Sequence, residues 1–175
     1  MIKEILRRTS LKRWTSQQPT GILPLRDIRT AVAFLDAQDP DWELCKNRLM
    51  AFFRQYGIRA DIYFFDFRKL EKDERLITGV GTTFLQSDLN WFGCPVGDKV
   101  SFLLATRPDL FLSLLPGAPY PLEFLARACP SRFKVGREQL SGQVFDLVVL
   151  DPSGPQPLSQ ADAFAQMIPL LEKLQ

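Results

Sequence analysis

The side chains able to do chemistry here are carboxylates, lysines, arginines and three thiols, because the chain contains no histidine. That gap removes Ser-His-Asp triads, Cys-His dyads, imidazole metal ligands and the HExxH zinc helix. Cys45, Cys94 and Cys129 show no CxxC spacing and follow no export signal, so neither a disulfide framework nor a zinc site is suggested and the thiols are expected to be reduced. Asp36, Asp66 and Asp151 each follow an apolar run, and in an open α/β sheet ligands sit beyond the carboxyl ends of the strands. Three carboxylates converging there could hold a metal. The plainer reading is that each ends its strand and caps the next turn, and neither a metal nor another cofactor is expected.

The densest group of unusual residues is Asp88-Leu-Asn-Trp-Phe-Gly-Cys-Pro-Val-Gly-Asp-Lys99. It combines aromatic faces, an acid and a cation in one loop, so Asp88, Asn90, Trp91 and Lys99 join Asp36 and Asp66 as candidate ligand-binding residues. The competing reading is an aromatic plug, with Trp91 and Phe92 folded over an open end of the core. A plug predicts that Trp91→Ala costs about 3 to 5 kcal/mol while Lys99→Ala is silent. Cys94 as a nucleophile would need a depressed pKa, which only Lys99 or a helix N-terminus could supply. Thr78-Gly-Val-Gly-Thr-Thr83 lacks the Lys-Ser/Thr ending of a phosphate loop and precedes a strand rather than a helix, so it reads as a plain turn.

Charge is unevenly placed. Lys and Arg number 22 against 20 Asp and Glu, a net charge of +2. Lys3, Arg7, Arg8, Lys12, Arg13, Arg26 and Arg29 nevertheless crowd the beginning of the chain against only Glu4 and Asp27, which leaves the remainder mildly acidic. Arg7, Arg8, Lys12 and Arg13 are therefore candidate contacts for an anionic macromolecule, RNA or an acidic protein surface. On a helical wheel Leu11 and Trp14 fall opposite Ile2, Ile5 and Leu6, so the segment lacks the single apolar face of a membrane-surface anchor. A mobile basic arm over residues 1–27 is expected, ahead of a single α/β domain over residues 28–175. No membrane span or signal-peptide core is visible, and a cytoplasmic location is expected.

The elements that must position these groups read as alternating strands and helices. Thr30 to Leu35 and Arg59 to Asp66 are short apolar runs ended by acids, the pattern of strands buried on both faces. Between them Trp42, Cys45, Leu49, Phe52, Phe53 and Tyr56 repeat at helical spacing up to Gly57. Residues 68 to 80 read as a surface helix turn or loop, followed by strands at Thr82 to Leu85, Asp109 to Leu115, Phe133 to Val135 and Phe145 to Leu150. Helices are expected over Lys99 to Ala105, from Pro121 to Cys129, and after a Ser159/Asp162 cap, the last one interrupted by Pro169. The pattern predicts an open, mostly parallel α/β sheet of five or six strands, Rossmann-like or flavodoxin-like, with helices on both faces.

Asp88-Leu-Asn-Trp-Phe-Gly93, Pro108-Asp-Leu-Phe-Leu, Pro121-Leu, Phe133-Lys-Val-Gly136 and Phe145-Asp-Leu together resemble an uncharacterised family of small bacterial proteins that also begin with a basic segment. The resemblance implies an intracellular α/β domain and supplies no catalytic residues. Residues Pro108 to Gly136 alone resemble the acceptor-side domain of heptosyltransferase-like glycosyltransferases, although the chain is too short for a nucleotide-sugar domain and no acceptor-side base can be placed. The leading functional expectation is a non-catalytic binding protein using its basic segment. The alternative is a small-molecule-binding or glycosyltransferase-like enzyme domain using the crevice at the strand ends.

Overall fold

A strand covered on both faces must be apolar along its whole length, and the runs that read so form the middle of the sheet. The computed structural model describes residues 1–71, 74–152 and 154–174. Lys72 and Asp73, within the stretch read as a surface helix turn or loop, and Ser153 and Gln175 lie outside the described residues. The elements run α1 (Ile2–Trp14), β1 (Thr30–Asp36), α2 (Trp42–Gln55), β2 (Arg59–Asp66), β3 (Thr83–Leu85), α3 (Asp98–Ala105), β4 (Leu110–Ser113), α4 (Tyr120–Ala128), β5 (Phe133–Gly136), β6 (Leu147–Val148) and α5 (Gln160–Lys173). All the strand pairings are parallel. The order β3-β2-β1-β4-β5-β6 reverses between β1 and β4, which is the Rossmann arrangement rather than the flavodoxin one.

Alternation along each strand divides the core in two. Ala31, Ala33 and Leu35 of β1 and Leu110 and Leu112 of β4 face α2 and α5, where Cys45, Leu49, Phe52, Phe53, Phe164 and Leu171 are buried. Val32, Phe34 and Phe111 face α3 and α4. On that side Phe111, Phe34, Phe65 and Phe84 stack across four adjacent strands, with ring centroids 4.8, 5.8 and 5.6 Å apart. The helix-face reading of α2 holds, and its chain reverses at Gly57 with φ +66°.

Three elements after the N-terminal segment depart from the sequence expectation, the first being β4, which covers Leu110–Ser113 rather than Asp109 to Leu115. β6 covers only Leu147 and Val148; ahead of it Phe145 is buried so close to Gly136 that a Cβ there would lie 2.7 Å from its ring. α5 runs through Pro169 without interruption; the ring is on the exposed side, where water can serve the carbonyl it leaves unpaired. The Ser159 cap forms as expected, its hydroxyl accepting from the Asp162 N–H at 3.2 Å.

Where a mobile basic arm was expected, the N-terminal segment forms a helix placed against the domain. Residues 2–14 are helical and lie on α4, because Leu6, Arg7, Ser10 and Leu11 turn inward and the Trp14 ring packs on Phe124 at 6.3 Å. The following residues form a strap. Ser16 N–H donates to the Arg127 carbonyl at 2.8 Å and Gly21 N–H to that of Arg132 at 2.9 Å, before Leu25 and Ile28 enter the core.

At the amino edge of the sheet, Asp109 accepts N–H bonds from Arg29 at 2.8 Å and Thr30 at 3.1 Å, and pairs with Arg132 at 3.1 Å. Burial opposes its charge, but these donors outweigh it and hold the carboxyl below the ordinary value of 3.8. A lowered folded value contributes stability that is complete above the ordinary value and is lost as pH falls through the folded one. Asp109→Asn is expected to lose about 2 kcal/mol in urea unfolding at pH 7. The gap to wild type should close as pH drops below 3.8; a gap that stays constant to pH 2 would refute the charge's role.

Candidate functional site

The crevice at the strand ends is filled from within. β4 turns away after Ser113, and Gln160, fully buried at the start of α5, takes its place: its Oε1 accepts the Asp36 N–H at 2.7 Å and its Nε2 donates to the Asp36 carbonyl at 2.9 Å. Beside it Arg137 donates to the carbonyls of Leu114 and Leu158, both at 2.9 Å, and pairs with Asp151 at 2.6 Å. Asp66 is buried and held by both ends of the Arg68 guanidinium, at 2.8 and 2.7 Å, which lowers its pKa. Burial raises Asp36, with Asp39 and Asp66 adding to the effect. Asp36 and Asp66 are neighbours, but Asp151 is drawn away to Arg137. Among the described residues no group of three or more acids or thiols is placed to hold a metal.

The turn that follows β1 is acidic. Where dinucleotide folds carry a Gly-rich turn, this chain has Asp36-Ala-Gln-Asp-Pro-Asp41, and the Asp39 carboxylate accepts from Asp41 N–H at 2.8 Å and Gln160 N–H at 2.9 Å ahead of α2. Arg137 has a faint sequence signal as a cation directly after a strand. Gln160 has none.

The 88–99 loop is held by its own polar residues. Asp88 accepts from Leu85 N–H and from Lys99 Nζ, both at 2.7 Å, while Lys99 also donates to the Thr83 carbonyl, so the pair ties β3 to α3. The Asn90 side-chain Oδ1 accepts from Phe92 N–H at 3.2 Å and Cys94 N–H at 3.0 Å, closing the turn. Trp91 does not plug the core: it is 67% exposed, and only Phe92 packs inward. The two rings meet edge to face, centroids 5.5 Å apart and planes at 88°, and the backbone turns at Gly93 with φ +87° directly after them. Burial pushes Cys45 and Cys129 up to about 12 and raises Cys94, so none supplies a thiolate at neutral pH.

Arg7 faces inward. Its Nε donates to the Phe92 carbonyl at 2.6 Å, its guanidinium stacks 4.7 Å from the Tyr120 ring centroid, and the Tyr120 hydroxyl donates back to the Arg7 carbonyl at 3.3 Å. Gly93 lies beneath it at φ +87°, a conformation other residues adopt only with strain, and a Cβ there would come within 2.9 Å of the guanidinium and displace it. With Arg7 as anchor, α1 presents Lys3, Arg8, Lys12 and Arg13 to solvent. Arg8 and Lys12 also line an open cleft of about 870 Å³ against Arg127 on α4, where Arg127 pairs with Glu123 at 2.8 Å.

An all-parallel sheet in Rossmann order, with its crevice closed by its own side chains and a basic helix laid across one layer, defines an α/β Rossmann-like domain without the dinucleotide loop. The chain belongs to a family of unknown function, DUF6913, whose model matches residues 1–158. No curated protein and no solved structure matches it. Among the described residues no helix is long and apolar enough to cross a membrane.

These contacts reverse the stability order that a plug implies. Trp91→Ala should change urea-unfolding stability by no more than about 0.5 kcal/mol. Lys99→Ala, which strands the half-buried Asp88 and the Thr83 carbonyl, should cost about 1 to 3 kcal/mol. A larger loss for Trp91→Ala than for Lys99→Ala would refute this account of the loop.

Proposed function

We propose that the protein is a non-catalytic binding module that holds RNA on the cationic outer face of α1. The observation that carries this reading is the division of labour within the helix. Arg7 is consumed by docking, whereas Lys3, Arg8, Lys12 and Arg13 stand outside. Among the described residues the ion pairs include none from Lys3, Lys12 or Arg13, and Arg8 has only an exposed contact with Glu4 at 3.5 Å. Such exposed cations contribute little to folding and much to counterion release on a polyanion. RNA is favoured over an acidic protein because the exposed rings of Trp14 and Trp91 belong to the same layer and offer bases a stacking surface. An enzyme or glycosyltransferase-like reading at the strand ends has less support, since Gln160 and Arg137 occupy that crevice.

Replacing Arg8, Lys12 and Arg13 together by Ala should weaken binding to a labelled RNA oligonucleotide and flatten the log-log salt dependence by about 2. The melting temperature should stay near that of wild type. Unchanged RNA affinity would refute the proposal, and so would tighter binding to polyglutamate than to RNA, which would transfer the helix to an acidic-protein partner.

A further inference from the structure

The same helix layer holds a second concavity of a different character. A groove of about 310 Å³ lies between the end of α1, the 90–97 loop and α3, walled by Trp14, Phe92, Pro95, Val96, Leu104 and Phe124. Ser10 and Ser101 place hydroxyl groups at its lip. This volume is at the small end of ligand pockets, which run from about 300 to 1,000 Å³, so it suits one planar ring system rather than an extended cofactor. Trp14 is fixed against Phe124 yet remains 50% exposed, which leaves part of its ring available. Around the groove the same loop and helix expose two further rings, Trp91 at 67% and Phe102 at 76%.

We propose that this groove seats one unstacked base of a single-stranded nucleic acid whose phosphates lie on the cations of α1. The inference rests on the RNA-binding reading of that helix and specifies which form of the polymer it takes. The groove's own lining is uncharged, and the charge beside it selects the occupant: the exposed cations of α1, with Arg13 next to the half-exposed Trp14 in sequence, offer a polyanion's phosphates a contact outside the groove. A duplex cannot offer such a base without unpairing it, whereas every base of a single strand has a free π-face. A lipid surface fits less well: Ile2 and Ile5 share the outer side of α1 with Arg8 and Lys12 instead of forming a separate apolar face, and the aromatic wall is recessed.

The test measures anisotropy of a fluorescein-labelled 12-nucleotide RNA, single-stranded or annealed to its complement, with the full chain at fixed salt. Wild type should prefer the single strand. Trp14→Leu, which removes the stacking face, and Ser101→Leu, which fills the groove from an exposed helix position, should each weaken single-strand binding about tenfold or more and leave duplex binding and the salt slope unchanged. If Trp14→Leu lowers the melting temperature, Ser101→Leu decides. Both variants binding the single strand like wild type would overturn the groove and leave the α1 reading standing. No binding to either RNA form would overturn both. Preference for phosphatidylglycerol vesicles over RNA would also overturn both and replace them with a lipid surface.

Discussion

The backbone of Asp36 sets the constraint on which the rest of the molecule depends. In β1 every second residue points its N–H and C=O toward β4, and the Phe34 carbonyl there accepts the Leu114 N–H at 3.0 Å. Two residues on, Asp36 points the same way, but β4 has ended at Ser113. A buried N–H and C=O without partners would cost about 1 to 3 kcal/mol each. Gln160 supplies both bonds from one primary amide, which fixes where α5 begins. Arg137 secures the neighbouring carbonyls and the loop that delivers Gln160. In Rossmann domains that bind dinucleotides this gap is the ligand's place; here the protein's own side chains take it.

With the strand ends closed, the exposed chemistry is on the layer outside α3 and α4. That layer is assembled from distant pieces: Arg7 reaches a carbonyl 85 residues away in sequence, and the space it needs is provided by Gly93. Asp88, Asn90 and Lys99 hold the loop that carries Phe92, so residues whose types suggest a ligand site spend their hydrogen bonds on the loop itself. The aromatic stack from Phe111 to Phe84 lies beneath this layer and gives it a rigid floor.

The sheet was legible because burial on both faces forces continuous apolar runs, and α2 because one buried face forces Cys45, Leu49, Phe52 and Phe53 into helical spacing. The parts that resisted reading involve pairings that leave no periodic trace. Gln160 and Asp36 are 124 residues apart, and an isolated glutamine has no pattern. Trp91 and Phe92 have nearly the same composition signal, yet one stands in solvent and the other packs against the core. The docking of α1 was hidden by its wheel, because its inward face is carried by Arg7 and Ser10 as much as by Leu6 and Leu11, and a guanidinium stacked on an aromatic ring does not register as apolar.

That mixed face makes α1 a conditional helix. Its 13 residues are at the length where an isolated helix in water is marginal. Its backbone order therefore depends on the surface beneath it, and the strap through Ser16 and Gly21 keeps the segment tethered at high local concentration. Coil-to-helix conversion and attachment are then one cooperative event. Any load taken up preferentially by the folded helix is transmitted through Arg7 to the Phe92 carbonyl and through Trp14 to α4, so occupancy of the outer face raises the free energy needed to open the whole layer.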